Sequence, residues 1–261
     1  MKKKHIFAVC AYKESEYLEL CIKSLVKQTV KSDIIICTST PCEYIDNIAQ
    51  KYNLQVYVRN GKSDIRDDWN FAYNTAKADY VTIAHQDDEY APTYTESLLK
   101  KIKAAKGDFI MYYSGYRPIK NGVVTSDINC KIRAFLRTPM RIGFLSKIRF
   151  FKKATLSMGN SICCPAVTYN KSVLGDNVFT SELKFNIDWD TFYKLASIKG
   201  RFLYEHKSLT YYRVHDGATS KEFIENTNRI KDDTIMFNKF WPKPITKIIM
   251  KFYKKAYNTY S

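Results

Sequence analysis

Residues 80–89 read Tyr80-Val81-Thr82-Ile83-Ala84-His85-Gln86-Asp87-Asp88-Glu89, an apolar β-branched run that ends abruptly in three acids. The first five residues have the composition of a buried strand. Adjacent carboxylates repel one another, so three at a strand's end require a compensating cation, and a divalent metal suits them. Open α/β sheets take ligands at the carboxyl ends of their strands, which is where this cluster falls. The same residues also fit a solvated acidic turn.

Upstream, strand-like runs at 6–12, 33–38 and 54–59 precede the one at 79–84. Helical stripes lie between them: Leu18, Cys21, Ile22, Leu25 and Val26; then Tyr44, Ile45, Ile48, Ala49 and Tyr52; then Trp69, Ala72, Tyr73 and Ala76. This order predicts an α/β fold, a doubly wound, mostly parallel sheet with right-handed crossovers and helices on both faces. Downstream, runs at 108–117 and 123–127 flank Lys120-Asn121-Gly122, a hairpin signal. A strand at 162–169, a helix at 188–198, a strand at 201–212 and a helix at 221–240 are expected to follow. Pro242 and Pro244 then break the chain. Ile245, Ile248, Ile249, Phe252 and Ala256 set out a last helical stripe, with Lys247, Lys251, Lys254 and Lys255 on other faces. The sequence therefore divides into a main domain at 1–240 and a basic amphipathic helical appendage at 241–261.

Charge is unevenly placed in this chain of 261 residues with a net charge of +16. Residues 1–130 hold 18 Lys/Arg against 16 Asp/Glu, a balance of +2; residues 131–261 hold 24 against 10, a balance of +14. Eight cations and no acid lie in 131–153, interleaved with Phe135, Leu136, Phe144, Leu145, Ile148, Phe150 and Phe151. Cations mixed with large apolar side chains match an anionic membrane surface better than a purely electrostatic partner. No apolar run approaches the roughly 18 residues of a membrane span, and the one at 6–11 is too short for a signal peptide's core. Seven cysteines, an odd number without a CxxC pair, fit a reducing cytosol better than a disulfide framework. The expected location is cytoplasmic, at the inner face of the cell membrane.

GxxxxGK[ST], GxGxxG, GxSxG and HExxH are all missing, which removes the P-loop, dinucleotide, hydrolase-elbow and zinc-helix readings. What remains is the acidic cluster, carboxylates near Asp188 and a single His215, a set suited to metal-assisted group transfer.

The run Val9-Cys10-Ala11-Tyr12-Lys13-Glu14, with Leu18, Cys21-Ile22, Ser24-Leu25 and Gln28-Thr29 beyond it, resembles the opening of family 2 glycosyltransferases of the GT-A fold. The resemblance continues through Asp68-Trp69-Asn70, His85-Gln86-Asp87-Asp88, Ile187-Asp188-Trp189-Asp190 and Tyr212-Arg213-Val214-His215, and so covers about 5–220. There are departures. Ala11 and Lys13 stand where proline and asparagine are usual. Thr38 replaces a carboxylate that often reads the donor base, His85 takes the first position of the D-x-D motif, and the E-D motif becomes Ile187-Asp188.

The resemblance implies an inverting transfer of a sugar from a nucleoside-diphosphate donor, a UDP-sugar by preference, to a glycan hydroxyl. Mn²⁺ or Mg²⁺ would offset charge on the leaving diphosphate. Asp87 is then the direct metal ligand, with His215 as its companion; Gln86 and Asp88 orient the metal or donor, and Glu89 is a solvated neighbour. Ala11, Tyr12, Glu14, Thr38 and Asp68 would contact the donor. Asp188 becomes the general base, while Asn160 and Trp189 line the acceptor side. Residues 1–130 form the nucleotide-sugar half and 131–240 the acceptor half. A lipid-diphosphate-linked acceptor, in bacterial cell-surface polysaccharide synthesis, would explain a half that is both basic and apolar. Two other classes stay open: a nucleotidyltransferase acting on sugar phosphates, and a non-catalytic basic protein binding membrane or nucleic acid. The absence of any nucleic-acid-binding signature makes nucleic acid the less expected partner.

Overall fold

Side-chain alternation in β1 (His5–Ala11) sets the layering: Ile6 and Ala8 enter one apolar cluster, Phe7, Val9 and Ala11 another. A strand apolar on both sides needs cover on both faces. The computed structural model, which describes residues 4–126, 128–215 and 228–254, supplies it. On the Phe7 face lie α1 (Leu18–Val26), α2 (Glu43–Tyr52) and α4 (Tyr94–Ala105). On the Ile6 face lie α3 (Ile65–Thr75), α8 (Ile187–Leu195), α9 (Asn228–Asn238) and α10 (Lys243–Tyr253). Between them run the short helices α5 (Ile128–Leu136), α6 (Arg149–Ala154) and α7 (Lys171–Leu174).

The sheet runs β3 (Gln55–Val58), β2 (Asp33–Thr38), β1, β4 (Tyr80–His85), β8 (Val167–Asn170), β6 (Phe109–Lys120), β9 (Arg201–Val214) and β5 (Glu89–Tyr90), with β7 (Val123–Val124) attached to β6. The ladders β1–β2, β1–β4, β2–β3 and β6–β9 are parallel and hold most of the paired residues. The mostly parallel, helix-covered sheet is thus as expected. β8 is the interruption: it enters antiparallel to both β4 and β6. It is also shorter than the strand expected at 162–169, because Pro165 cannot donate to a ladder and sits in a 3₁₀ turn at Cys164–Ala166. The expected hairpin is present, with Asn121 and Gly122 at φ of 49° and 76° between β6 and β7.

β6 and β9 slip register near Gly115. A Cβ there would lie 2.8 Å from the His206 carbonyl oxygen, so only glycine permits this approach. α4 is not among the expected elements. Its buried stripe of Tyr94, Leu98, Ile102 and Ala105 is narrow and set among Lys100, Lys101 and Lys103.

The C-terminal segment differs from the appendage expected at 241–261. Thr246 and Met250 of α10 are buried, Ile249 and Tyr253 pack on the main core, and Trp241 Nε1 donates to the Ser157 carbonyl at 2.8 Å. Of the helix expected at 221–240, α9 covers Asn228–Asn238; 216–227 and 255–261 lie outside the described residues. No helix among the described residues is long and apolar enough to cross a membrane.

Candidate active site

The acids at the end of β4 have different surroundings. The Asp88 amide donates to the His85 carbonyl at 3.2 Å and turns the chain; Glu89 and Tyr90 then pair with Tyr211 and Thr210 of β9. That pairing brings Arg213 against the turn. Its amide donates to Asp88 Oδ1 at 2.9 Å and its Nε to the Asp87 carbonyl at 3.1 Å, while its guanidinium pairs with Glu89. Glu89 therefore anchors Arg213 and is not the solvated neighbour expected. Asp88 is buried, and burial lifts its carboxyl to about 8 against the opposing pull of the Arg213 amide.

His215 follows β9 directly, and its Nε2 lies 3.3 Å from Asp87 Oδ2. That nitrogen is buried and makes no hydrogen bond among the described residues. A ring nitrogen and a carboxylate oxygen this close, with no hydrogen bond found for the nitrogen, suit two ligands of one cation, and Mn²⁺ accepts nitrogen beside oxygen. Among the described residues no three His, Cys, Asp or Glu side chains converge in metal-binding geometry. Asp87 and His215 are the residues that would hold such a metal, which would supply positive charge to offset a diphosphate.

The first-strand loop is fixed from the same turn. Tyr12 N donates to Gln86 Oε1 at 2.9 Å, and Gln86 Nε2 donates back to the Tyr12 carbonyl at 3.0 Å. Gln86 thereby places Ala11 and Tyr12 at the cavity wall, with the Tyr12 ring exposed. Glu14 is exposed and outside that wall. Thr38 is also outside it: the side chain is buried, and its hydroxyl accepts from the Thr40 amide at 3.0 Å. Its expected donor contact gives way to shaping the loop that receives Lys13 N on Thr40 Oγ1. Asp68 does line the cavity, but it already accepts from Arg59 Nε at 2.7 Å, Ser39 Oγ at 3.0 Å and Ser63 Oγ at 2.8 Å. The N-cap of α3 is Asp64. His85 stacks on Trp69 with ring centroids 5.1 Å apart, and burial lowers it to about 4, so it is neutral near pH 7.

Across the cavity stands Asp188, in the first turn of α8. Oδ1 accepts from the Trp189 amide and Oδ2 from Asn160 Nδ2, each at 2.7 Å. Burial lifts this carboxyl to about 6 in spite of both hydrogen bonds. Asn160 follows Gly159, whose φ of 122° disfavours a side chain and where a Cβ would crowd the Tyr253 ring at 3.1 Å. Asp190 is directed elsewhere, meeting Lys194 at 2.9 Å and Lys239; burial works against its ionisation, but the lysines hold it below the usual range. Trp189 is not on the acceptor side. It is fully buried, its ring packs against Phe237 and Phe240, and its indole donates to the Leu156 carbonyl at 3.1 Å.

Several contributors lie outside the expected set. Asp232 of α9 accepts from the amides of Lys184, Phe185 and Asn186 at 2.9, 2.7 and 3.4 Å, and Asp233 accepts from Asn186 Nδ2 at 2.7 Å. The two acids hold the loop that aims α8. Arg133 of α5, Arg229 of α9 and Tyr253 of α10 also line the cavity. Adjacent acids in an otherwise basic half were the only local signal for Asp232 and Asp233; the arginines carry none among so many cations.

These walls enclose a cavity of about 600 Å³ reached by Asp87, Asp88, Asp188 and Asn160 together. The fold is shared with S. aureus TarS residues 1–349 in complex with UDP-GlcNAc: TM-score 0.60 and 16% identity over 98% of this chain and 73% of that one. The mannosyltransferase PcManGT of Pyrobaculum calidifontis, in complex with GDP-Man and Mn²⁺, gives 0.62 and 14% over 98% and 70%. Glucosyl-3-phosphoglycerate synthase of Mycobacterium tuberculosis, with Mn²⁺ and UDP-glucose, gives 0.57 and 12% over 90% and 78%. No curated protein matches this sequence. The family model for Glycosyl transferase family 2 matches residues 6–166, from β1 through the acidic turn to the start of β8, and the chain belongs to that family.

Proposed function

We propose that this protein is an inverting, metal-dependent glycosyltransferase that moves a sugar from a nucleoside-diphosphate donor, a UDP-sugar by preference, to a hydroxyl of a glycan acceptor. The observation that carries the reading is the presence in one cavity of Asp188, a carboxyl raised to about 6, and Asp87, whose Oδ2 lies 3.3 Å from His215 Nε2 behind the cavity wall. Mn²⁺ or Mg²⁺, when bound there, would stabilise negative charge on the departing diphosphate. Asp188 takes the proton of the acceptor hydroxyl, whose oxygen attacks the anomeric carbon as the bond from that carbon to the diphosphate oxygen breaks, its electron pair leaving on the diphosphate. Asn160 and the Trp189 amide fix the carboxylate for this transfer, and Arg213, braced by Glu89, fixes the turn carrying Asp87 and Asp88. Residues 1–130 supply the donor side and 131–240, extended by Tyr253, the acceptor side.

The acceptor is a lipid-diphosphate-linked glycan of cell-surface polysaccharide synthesis, met at the inner face of the membrane. The lack of acids in 131–153 and the exposed apolar residues there support this. Incubation with UDP- and GDP-sugars plus Mn²⁺, with the released product identified, tests the chemistry. Nucleoside diphosphate and a product of inverted anomeric configuration are expected. Pyrophosphate release would replace the reading with nucleotidyl transfer, and no turnover of any donor would favour a non-catalytic scaffold.

A further inference from the structure

α5 is amphipathic in the inverted sense. Ile128, Ile132 and Phe135, at spacings of four and three, face solvent, and Phe135 is 76% exposed. The other side of the helix carries Arg133, which donates to the Tyr116 hydroxyl at 3.3 Å and lines the cavity. One residue past the helix, Arg137 is buried with its guanidinium 4.7 Å from the Tyr116 ring centroid and 5.4 Å from that of Tyr204. Arginines thus point inward and apolar side chains outward. The segment continues in this way: Phe144 is 68% exposed and Phe150 72% exposed. An outward apolar surface of this kind on a folded chain marks an interaction site.

Charge selects the occupant. Lys131, Arg141, Lys147 and Arg149 are exposed among these rings, and 128–153 contains no Asp or Glu. Among the described residues Asp108 reaches in from outside the segment and pairs with Lys147. A protein partner would meet the rings with an apolar patch, but it would have to bring its own acids to every lysine and arginine. An anionic bilayer supplies both environments at once, hydrocarbon for the aromatic rings and phosphate for the cations. α10 repeats the arrangement, with Ile245, Ile248 and Phe252 exposed on its outer side and Tyr253 lining the cavity.

We infer that the outer surface of 128–150, flanked by the outer stripe of α10, seats this protein on an anionic lipid bilayer, so that the acceptor half of the cavity lies next to the membrane. The inference rests on the membrane-face reading above and makes the 128–150 surface the principal contact. The wild-type chain is sedimented with vesicles of phosphatidylcholine alone and of phosphatidylcholine with phosphatidylglycerol, beside F135S/F144S/F150S and I248S/F252S. Expected results are binding to the anionic vesicles only, weakened by 0.5 M salt. The triple variant should lose about tenfold in partitioning and the α10 variant less. Circular dichroism and hydrolysis of a soluble sugar nucleotide should not change in either variant. Equal partitioning of wild type and triple variant would overturn the inference, as would equal binding to neutral vesicles. Loss of a wild-type dimer in the triple variant, without any vesicle binding, would assign the surface to a second copy. Donor hydrolysis is scored separately, so a failed membrane contact and a failed glycosyltransferase reading give different results.

Discussion

On the proposed donor side of the cavity, polar side chains are tied to one another: Asp68 holds three donors, and Gln86 is bonded twice to Tyr12. On the proposed acceptor side, Phe135, Phe144 and Phe150 stand in solvent, and the short elements between β7 and β8 alternate helix with turn. The donor side is a preorganised site built on a regular sheet, where ordering costs are met on folding and not on binding. The acceptor side is built from packing of irregular segments and leaves part of its apolar surface for something outside the chain.

Lesions on the two sides should separate binding from turnover. The largest effect belongs to D188N: kcat should fall by 10²- to 10⁴-fold, the range for loss of a general base, with donor affinity near normal by calorimetry. An active D188N enzyme would remove Asp188 from its role. H215A and D87N should do the reverse and weaken Mn²⁺-dependent donor binding by about 10- to 100-fold; unchanged affinity in both would break the comparison. The pH profile comes next. Asp188 must be ionised to accept a proton, and burial raises its carboxyl to about 6, so kcat/KM should be low at pH 5, rise through about 6 and level off above it. A profile flat across that range would contradict the assignment. Q86A removes two hydrogen bonds that hold the Tyr12 loop, and KM for the donor should rise about 30-fold at near-constant kcat, as expected for roughly 1 kcal/mol per bond. T38V should be the mildest, changing donor KM less than about threefold, because the hydroxyl serves the Thr40 amide and not the cavity. A tenfold loss would return Thr38 to the donor site.

Much of the donor side was legible in sequence because its information is local. Strands of period two and helices of period 3.6 alternate through residue 85, and the acids fall at a strand's carboxyl end, where an open sheet receives ligands. Asp188 and Asp190 were separable in principle by helical rotation, but which faces the cavity depended on Lys194 and Lys239 occupying the other side. Trp189, Thr38 and Glu89 were misjudged for a related reason. Position next to a motif says nothing about the direction of a side chain once the backbone turns.

By itself, the sequence determined the layered α/β sheet, the acidic turn after β4 and the cationic second half, because period and composition are properties of neighbouring residues. Only the tertiary structure decided that Arg213 meets Asp88, 125 residues away, and that His215 meets Asp87, since this depends on β5 pairing with β9 at the sheet's edge. It also decided which side of α5 faces water. A stripe in sequence fixes that a helix has two faces; the surface it packs against fixes which one is left exposed.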